Sequence, residues 1–483
     1  MIVKKNTLLA GLVILFLIAI VLLTNYYGST DIGDYTDVAK FFANDYSAPI
    51  RSSHSYLMGF LLAPFLNFLN SFIIFKLISL IFLGLIVYSV YLISNKNPRA
   101  LLLILLSPVV WYMAPWASPI QIASLLLLWA YYFIEKYDRY EKIKYLLYSA
   151  MLIGLSLAFW DTMIYFGLIL AFCYLFNKKF YSFFLFLVFM SIGLLPRLAL
   201  DQYLFNFPFL TLIKTFVSGF ISILNKGIYS GAGYVSYGFL PFLLILLAIP
   251  FYYWKLYTPK LFIKNKKAML FLTLSILLIL SNPQIRYTLA IIPIITLLLM
   301  KNLRENRINK QIWILLPLLI LFFSPVVLQL GYTSASQPYG LDILSLANKA
   351  DLSSNGLSEK IIQDLDKISV DYPNQTFLVG NNPDDYQILA HYYWGKNINE
   401  FVSIQDYQLS LNNQTTIFEK KLSSSSNIND RRQIWIAGGI DKNPNDKTDY
   451  NNLTLAIGLG TPIDAEGFNL VKNYSVLYIS EKN

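Results

Sequence analysis

Between Thr30 and Tyr56 the chain gathers Asp31, Asp34, Asp37, Asp45, Arg51 and His54 in the first stretch that follows an N-terminal apolar helix. An ionised aspartate set against an acceptor hydroxyl or amine serves as a general base, and Asp31 is the expected base. Asp34, three residues on, is open to two uses. It could act with Asp31, in catalysis or as paired carboxylate ligands of a divalent cation, or it could cap a helix beginning near Tyr35. The capping role is open to Asp31 as well. Asp37 and Asp45 read as solvated loop charges. Arg51 and His54 close the loop. His54 titrates near neutrality when unperturbed and could orient an acceptor. With no second His or Cys beside it, a dedicated zinc site is not expected.

A second group lies far along the chain in Asn282-Pro-Gln-Ile-Arg286-Tyr287. The planar fork of an arginine matches phosphate oxygens in pairs, so Arg286 is a candidate phosphate ligand and Tyr287 would line the same mouth. Three more charges stand in or beside apolar runs. Lys76 is near the end of its run and could either snorkel to the interface or reach a phosphate. Asp161 falls at a turn between two runs, where water could solvate it, and Arg197 opens a later loop.

These side chains must be positioned by a membrane framework. The 483 residues are 56% hydrophobic and 14% charged, with mean hydropathy +0.51, against about a quarter charged in soluble domains. Apolar runs of spanning or near-spanning length fall near 7–24, 71–94, 100–114, 119–134, 144–160, 163–177, 180–196, 238–254, 268–281, 287–300 and 311–330. The expected fold is therefore a polytopic α-helical membrane protein with about eleven transmembrane helices. The first run reads as an uncleaved anchor, since no small-residue cleavage pattern follows it.

With the N-terminus inside, inner segments carry nineteen Lys and Arg residues, among them Lys4, Lys5, Lys136, Lys178, Lys264 and Arg304. Outer segments carry six: Lys40, Arg51, Arg197, Lys214, Lys226 and Arg286. This bias sets the orientation. It also accounts for the net charge of +10 without nucleic acid as a partner. Cys173, the only cysteine, reads as a small hydrophobe.

Residues 1–330 form the expected membrane domain, with a first outer loop at 25–56 and a second at 197–236. The composition then changes. Residues 331–483 hold 18 acidic and 12 basic residues and all four Asn-x-Ser/Thr sequons, at Asn374, Asn413, Asn452 and Asn473. An amphipathic stretch at 358–369, strand candidates at 376–380, 401–404, 433–437 and 475–480, and a helix-like run at 384–394 indicate a small external α/β domain. It would face the extracellular, periplasmic or luminal side.

The order Asp31-x-x-x-Tyr35-x-x-x-Ala39 in the first outer loop resembles the acidic motif of the GT-C superfamily of membrane glycosyltransferases. That superfamily includes protein O-mannosyltransferases, aminoarabinose transferases and lipid-linked mannosyltransferases. Arg286-Tyr287 followed by Pro293 resembles a second element of the superfamily, and the turn from Ser107-Pro108 to Trp116-Ala-Ser-Pro119 a weaker third. The resemblance covers about 1–330.

It implies a donor sugar carried on polyprenyl or dolichyl phosphate, such as dolichyl phosphate mannose, and a protein, lipid or glycan acceptor on the outer face of the bilayer. Asp31 would be the base, and Arg286 would meet the carrier phosphate. Where many relatives have Tyr-Pro-Pro or Lys-Pro, this chain has His54-Ser-Tyr56, so the identity of the sugar does not carry over. The competing reading is a polytopic transporter or flippase of lipid-linked substrates. It would call for related halves or paired charges deep in the helices, and the sequence offers neither.

Overall fold

The structure is a computed structural model. It describes residues 2–23, 55–66, 71–105, 107–114, 117–205, 207–213, 285–303, 357–379, 453–465 and 467–483, with shorter pieces at 35, 38–39, 42–43, 50–51, 215, 271, 273–275, 333–334, 337–338, 389, 398, 400–403 and 440–441. Contacts divide the chain into two units. The first comprises Met1–Tyr27, Phe75–Arg197 and Ser222–Ser354; the second comprises Gly28–Ile74, Leu198–Ile221 and Asn355–Asn483.

The helices are α1 (Ile2–Leu23), α2 (Leu57–Leu62), α3 (Ser71–Ile93), α4 (Pro98–Leu105), α5 (Pro108–Met113), α6 (Pro119–Tyr140), α7 (Ile143–Phe159), α8 (Met163–Phe176), α9 (Phe180–Phe205) and α10 (Ile292–Leu303). Their ends follow local rules. The apolar run at 100–114 is split because Pro108 cannot donate a backbone hydrogen bond and suits a first helical position. Ser118 and Gln121 form a capping box at the start of α6, which ends on Glu141 in a left-handed conformation (φ 52°). Gln121 is also the hub of a buried network. Its Nε2 donates to Ser79 Oγ on α3 (2.7 Å) and to the Met113 carbonyl of α5 (2.9 Å).

Glycines set the closest helix approach in the first unit. A Cβ on Gly154 of α7 would stand 1.9 Å from the Met190 carbonyl oxygen, and one on Gly193 of α9 would stand 2.1 Å from the Met151 carbonyl oxygen. Backbones touch there because no side chain intervenes, a packing mode suited to membrane helices. On α9, Phe180, Phe184, Val188, Ile192 and Leu195 remain exposed. An apolar stripe of that length is unfavourable in water and natural against lipid. Among the described residues, Phe75–Ile93 and Phe180–Leu204 are long and apolar enough to cross a membrane.

Two expectations change. Helix α9 continues through Pro196 to Phe205, so residues 197–205 are helix and not the start of the second outer loop. The late run at 287–300 begins as a 3-10 helix, Ile285–Ala290, before α10. Runs 238–254 and 311–330 lie outside the described residues, as does most of 268–281.

In the second unit, the first outer loop contains helical residues at Tyr35, Val38, Ala39 and Phe42. Gly59 of α2 lets Val38 approach, since a Cβ there would fall 2.3 Å from Val38 Cγ1, and Phe42 meets Phe60 edge to face at 5.3 Å. The strand β1 (Ile50–Arg51) pairs antiparallel with β6 (Ile440–Asp441). A short hairpin, β2 (Thr333–Ser334) with β3 (Gln337–Pro338), belongs to the first unit.

Later in the chain come α11 (Leu357–Asp371), β4 (Thr376–Val379), β5 (Glu400–Ser403), β7 (Leu455–Leu459), β8 (Phe468–Asn473) and β9 (Leu477–Lys482). The sheet order is β5-β4-β7-β9-β8, parallel among the first three and antiparallel for the rest. Leu378, Leu453, Ala456, Ile463 and Phe468 form its core. Helix α11 is fastened to the β8–β9 turn by buried Asp364, whose Oδ2 accepts from Val476 N (2.7 Å) and Leu477 N (3.1 Å).

Candidate functional site

Among the described residues of the first unit, charged and aromatic side chains meet where α7 turns into α8. Helix α7 ends at Phe159, and Trp160 follows in an extended conformation (φ −143°, ψ 119°). The last carbonyls of a helix lack intrahelical donors and carry the negative end of its dipole. Arg197 answers both. Brought alongside by the glycine crossing one turn earlier on α9, it is fully buried (0% exposed). Its Nη1 donates to the Leu157 carbonyl (3.4 Å) and forms an ion pair with Asp161. The first acceptor lies in the last turn of α7, and the second belongs to the residue directly after Trp160.

Trp160 in turn meets Tyr287, with ring centroids 5.0 Å apart and planes at 37°. Tyr287 lies in the 3-10 helix Ile285–Ala290, next to Arg286, and that helix packs against α5 and α6. The expected phosphate ligand therefore belongs to a short element that the α7–α8 turn contacts through aromatic rings.

Of the other expected site residues, Asp31, Asp34 and His54 lie outside the described residues, and Arg51 and Arg286 are described by backbone alone, in β1 and the 3-10 helix. Tyr35 and Ala39 are buried, so the two partners of Asp31 in the motif face packed protein. Lys76 on α3 is only 5% exposed. Among the described residues no group of His, Cys, Asp and Glu could hold a metal ion, and Asp31 and Asp34, the expected pair of cation ligands, lie outside them.

Sequence reasoning missed the Asp161–Arg197 pair, having treated one as a solvated turn residue and the other as the start of a loop. The available signal was that each sits at a break in an apolar run, Asp161 beside Trp160 and Arg197 after Pro196. Opposite charges at two such breaks are candidates to neutralise each other.

No protein-family model matches the sequence, and comparison with curated proteins finds no match. Solved structures do match, over the whole chain. The fold resembles that of a membrane enzyme crystallised with a polyprenyl phosphate. The particular neighbours are crystal structures of ArnT from Cupriavidus metallidurans. The form bound to undecaprenyl phosphate has a TM-score of 0.64 at 11% identity, covering 98% of this chain and 97% of that one. The apo form has a TM-score of 0.61 at 12% identity, covering 100% and 98%. At such identities the likeness is one of fold.

Proposed function

We propose that this protein is a membrane glycosyltransferase that moves a sugar from a polyprenyl-phosphate carrier to an acceptor at the outer membrane face. The observation that carries the reading is likeness over nearly the full length of both chains to a protein crystallised with undecaprenyl phosphate. Asp31-x-x-x-Tyr35-x-x-x-Ala39 and Arg286-Tyr287 support it from the sequence.

In this reading Asp31 accepts the proton of an acceptor hydroxyl or amine as the acceptor atom bonds to the anomeric carbon. The carbon–oxygen bond to phosphate breaks, and its electron pair leaves with the polyprenyl phosphate. Arg286 and Lys76 meet the phosphate charge, which stabilises the departing group. Tyr287 lines that site, while Arg51 and His54 border the acceptor. A single displacement of this kind inverts the anomeric centre. Asp34 stands with Asp31 as a second carboxylate, and both offer oxygen ligands for a divalent cation, which would add positive charge beside the reacting groups.

The test supplies purified protein with a panel of radiolabelled polyprenyl-phosphate sugars and host membranes as acceptor. Label passes to product with the wild type, and Asp31→Asn lowers the rate by at least about 100-fold, the low end for loss of a general base. Unchanged transfer by Asp31→Asn would remove Asp31 from the centre. No donor consumption by the wild type would overturn the enzyme reading.

A further inference from the structure

A guanidinium wholly enclosed by apolar helices is unfavourable unless its charge is met, and the groups that meet Arg197 stand at the end of α7 and just past it. The Leu157 carbonyl lies in the last turn of α7, and the Asp161 carboxylate belongs to the residue directly after Trp160. The ring of Trp160 rests on Tyr287. That ring contact reaches a 3-10 helix of six residues, a form whose poorer hydrogen bonds make runs beyond three or four residues uncommon. Such an element depends on its side-chain neighbours for its placement.

We propose that the Asp161–Arg197 pair is a positioning device for phosphate binding: it holds Trp160 against Tyr287 and so sets the 3-10 helix that carries Arg286. This rests on the reading of Arg286 as the ligand of the carrier phosphate. Asp161, Arg197 and Trp160 are positioning residues, not catalytic ones. The glycine contact between α7 and α9 supplies the rigid base, because it fixes Arg197 along the axis of α7 with no flexible side chain between the backbones.

The test uses the full chain in lipid nanodiscs and undecaprenyl phosphate as the probe, reading the dissociation constant and the thermal midpoint of each variant. Trp160→Ala weakens binding by about 3- to 10-fold, the size of one aromatic pair. Trp160→Phe, which keeps a ring against Tyr287, stays within about twofold of the wild type. Asp161→Asn weakens binding to a similar extent as Trp160→Ala. The double variant Asp161→Asn with Trp160→Ala binds no worse than Trp160→Ala alone, because the pair acts through the ring.

A general packing role would shift midpoints without this pattern in affinity. Wild-type affinity in Trp160→Ala, or losses that multiply in the double variant, overturns the inference. If Asp161→Asn does not fold, Asp161→Glu takes its place: it keeps the charge but displaces the carboxylate, and wild-type affinity there would likewise overturn the role. A wild type that does not bind the probe, or Arg286→Ala binding it as the wild type does, overturns the phosphate reading itself and the inference with it.

Discussion

Asp371, at the end of α11, accepts from Lys472 Nζ and from the Tyr474 hydroxyl, each at 2.6 Å. The bond from Lys472 and then that from Tyr474 hold the Asp371 carboxyl below its ordinary value of 3.8. A carboxylate depressed in the folded state stabilises above its unfolded pKa and loses that stabilisation as pH falls through the folded one. Lys472 is raised above its ordinary 10.5 by its bond to Asp371, then by Tyr474, so its contribution is full below that value and fades above it. Burial, then the bond to Asp371, pushes Tyr474 up to about 12, and its hydroxyl remains a donor through the neutral range. We expect protection of the β8–β9 amides against hydrogen exchange to be flat near neutrality and to fall in acid below the ordinary Asp range. In Asp371→Asn the acid step is lost. The cluster is surface-exposed, so the effect is modest. Persistence of the full step in Asp371→Asn would mean that another group sets it.

Asp364 is the buried counterpart on the same helix. Asp364→Ala strands the Val476 and Leu477 amides and should cost about 2–6 kcal/mol, summing the usual penalty for unpaired buried groups. Asp364→Asn retains one accepting oxygen and should be milder. Chemical denaturation of the full chain, followed at the β8–β9 amides, would show equal losses if the hydrogen bonds are immaterial.

At the scale of elements, the α7–α9 crossing makes the sharpest claim. Gly154→Ala and Gly193→Ala drive a methyl into opposing backbone, which cannot yield without separating the helices, and each should cost about 1–3 kcal/mol or more. A Cβ on Gly167 of α8 would meet only side-chain atoms, Ile153 Cγ2 at 2.7 Å and Met190 Sδ at 2.9 Å. Met190 is flexible, so Gly167→Ala should be better tolerated. Detergent-resistant folding by thermal shift ranks the three; Gly167→Ala as the most damaging would contradict the packing described. Because Gly193 lies one turn before Arg197, its substitution should also weaken undecaprenyl-phosphate binding.

The same elements show how far local pattern reaches. The runs at 71–94, 144–160 and 163–177 match α3, α7 and α8 within a residue or two at each end. A helix in an apolar setting satisfies its own backbone, so run length nearly defines it. Strand β7 escaped notice. It lies at the middle of the sheet, buried nearly throughout, and therefore lacks the alternation that marks a half-exposed strand.

For the whole molecule, charge bias predicts Lys142 inside and the C-terminus outside. With Cys173 changed to Ser, a cysteine at position 142 should resist a membrane-impermeant maleimide in intact cells, and one at position 483 should react. The reverse pattern would invert the topology.

Membrane class was legible in the chain alone, because hydropathy is written locally. The turn caps were equally local, as Ser118 and Gln121 lie three residues apart. The Asp161–Arg197 pair spans 36 residues, and Trp160 finds Tyr287 from a different part of the chain. Neither contact has a periodic signature. Each exists only because packed helices, held close by Gly154 and Gly193, bring distant breaks in the apolar runs to one place. There, burial removes water as an alternative partner for the charges.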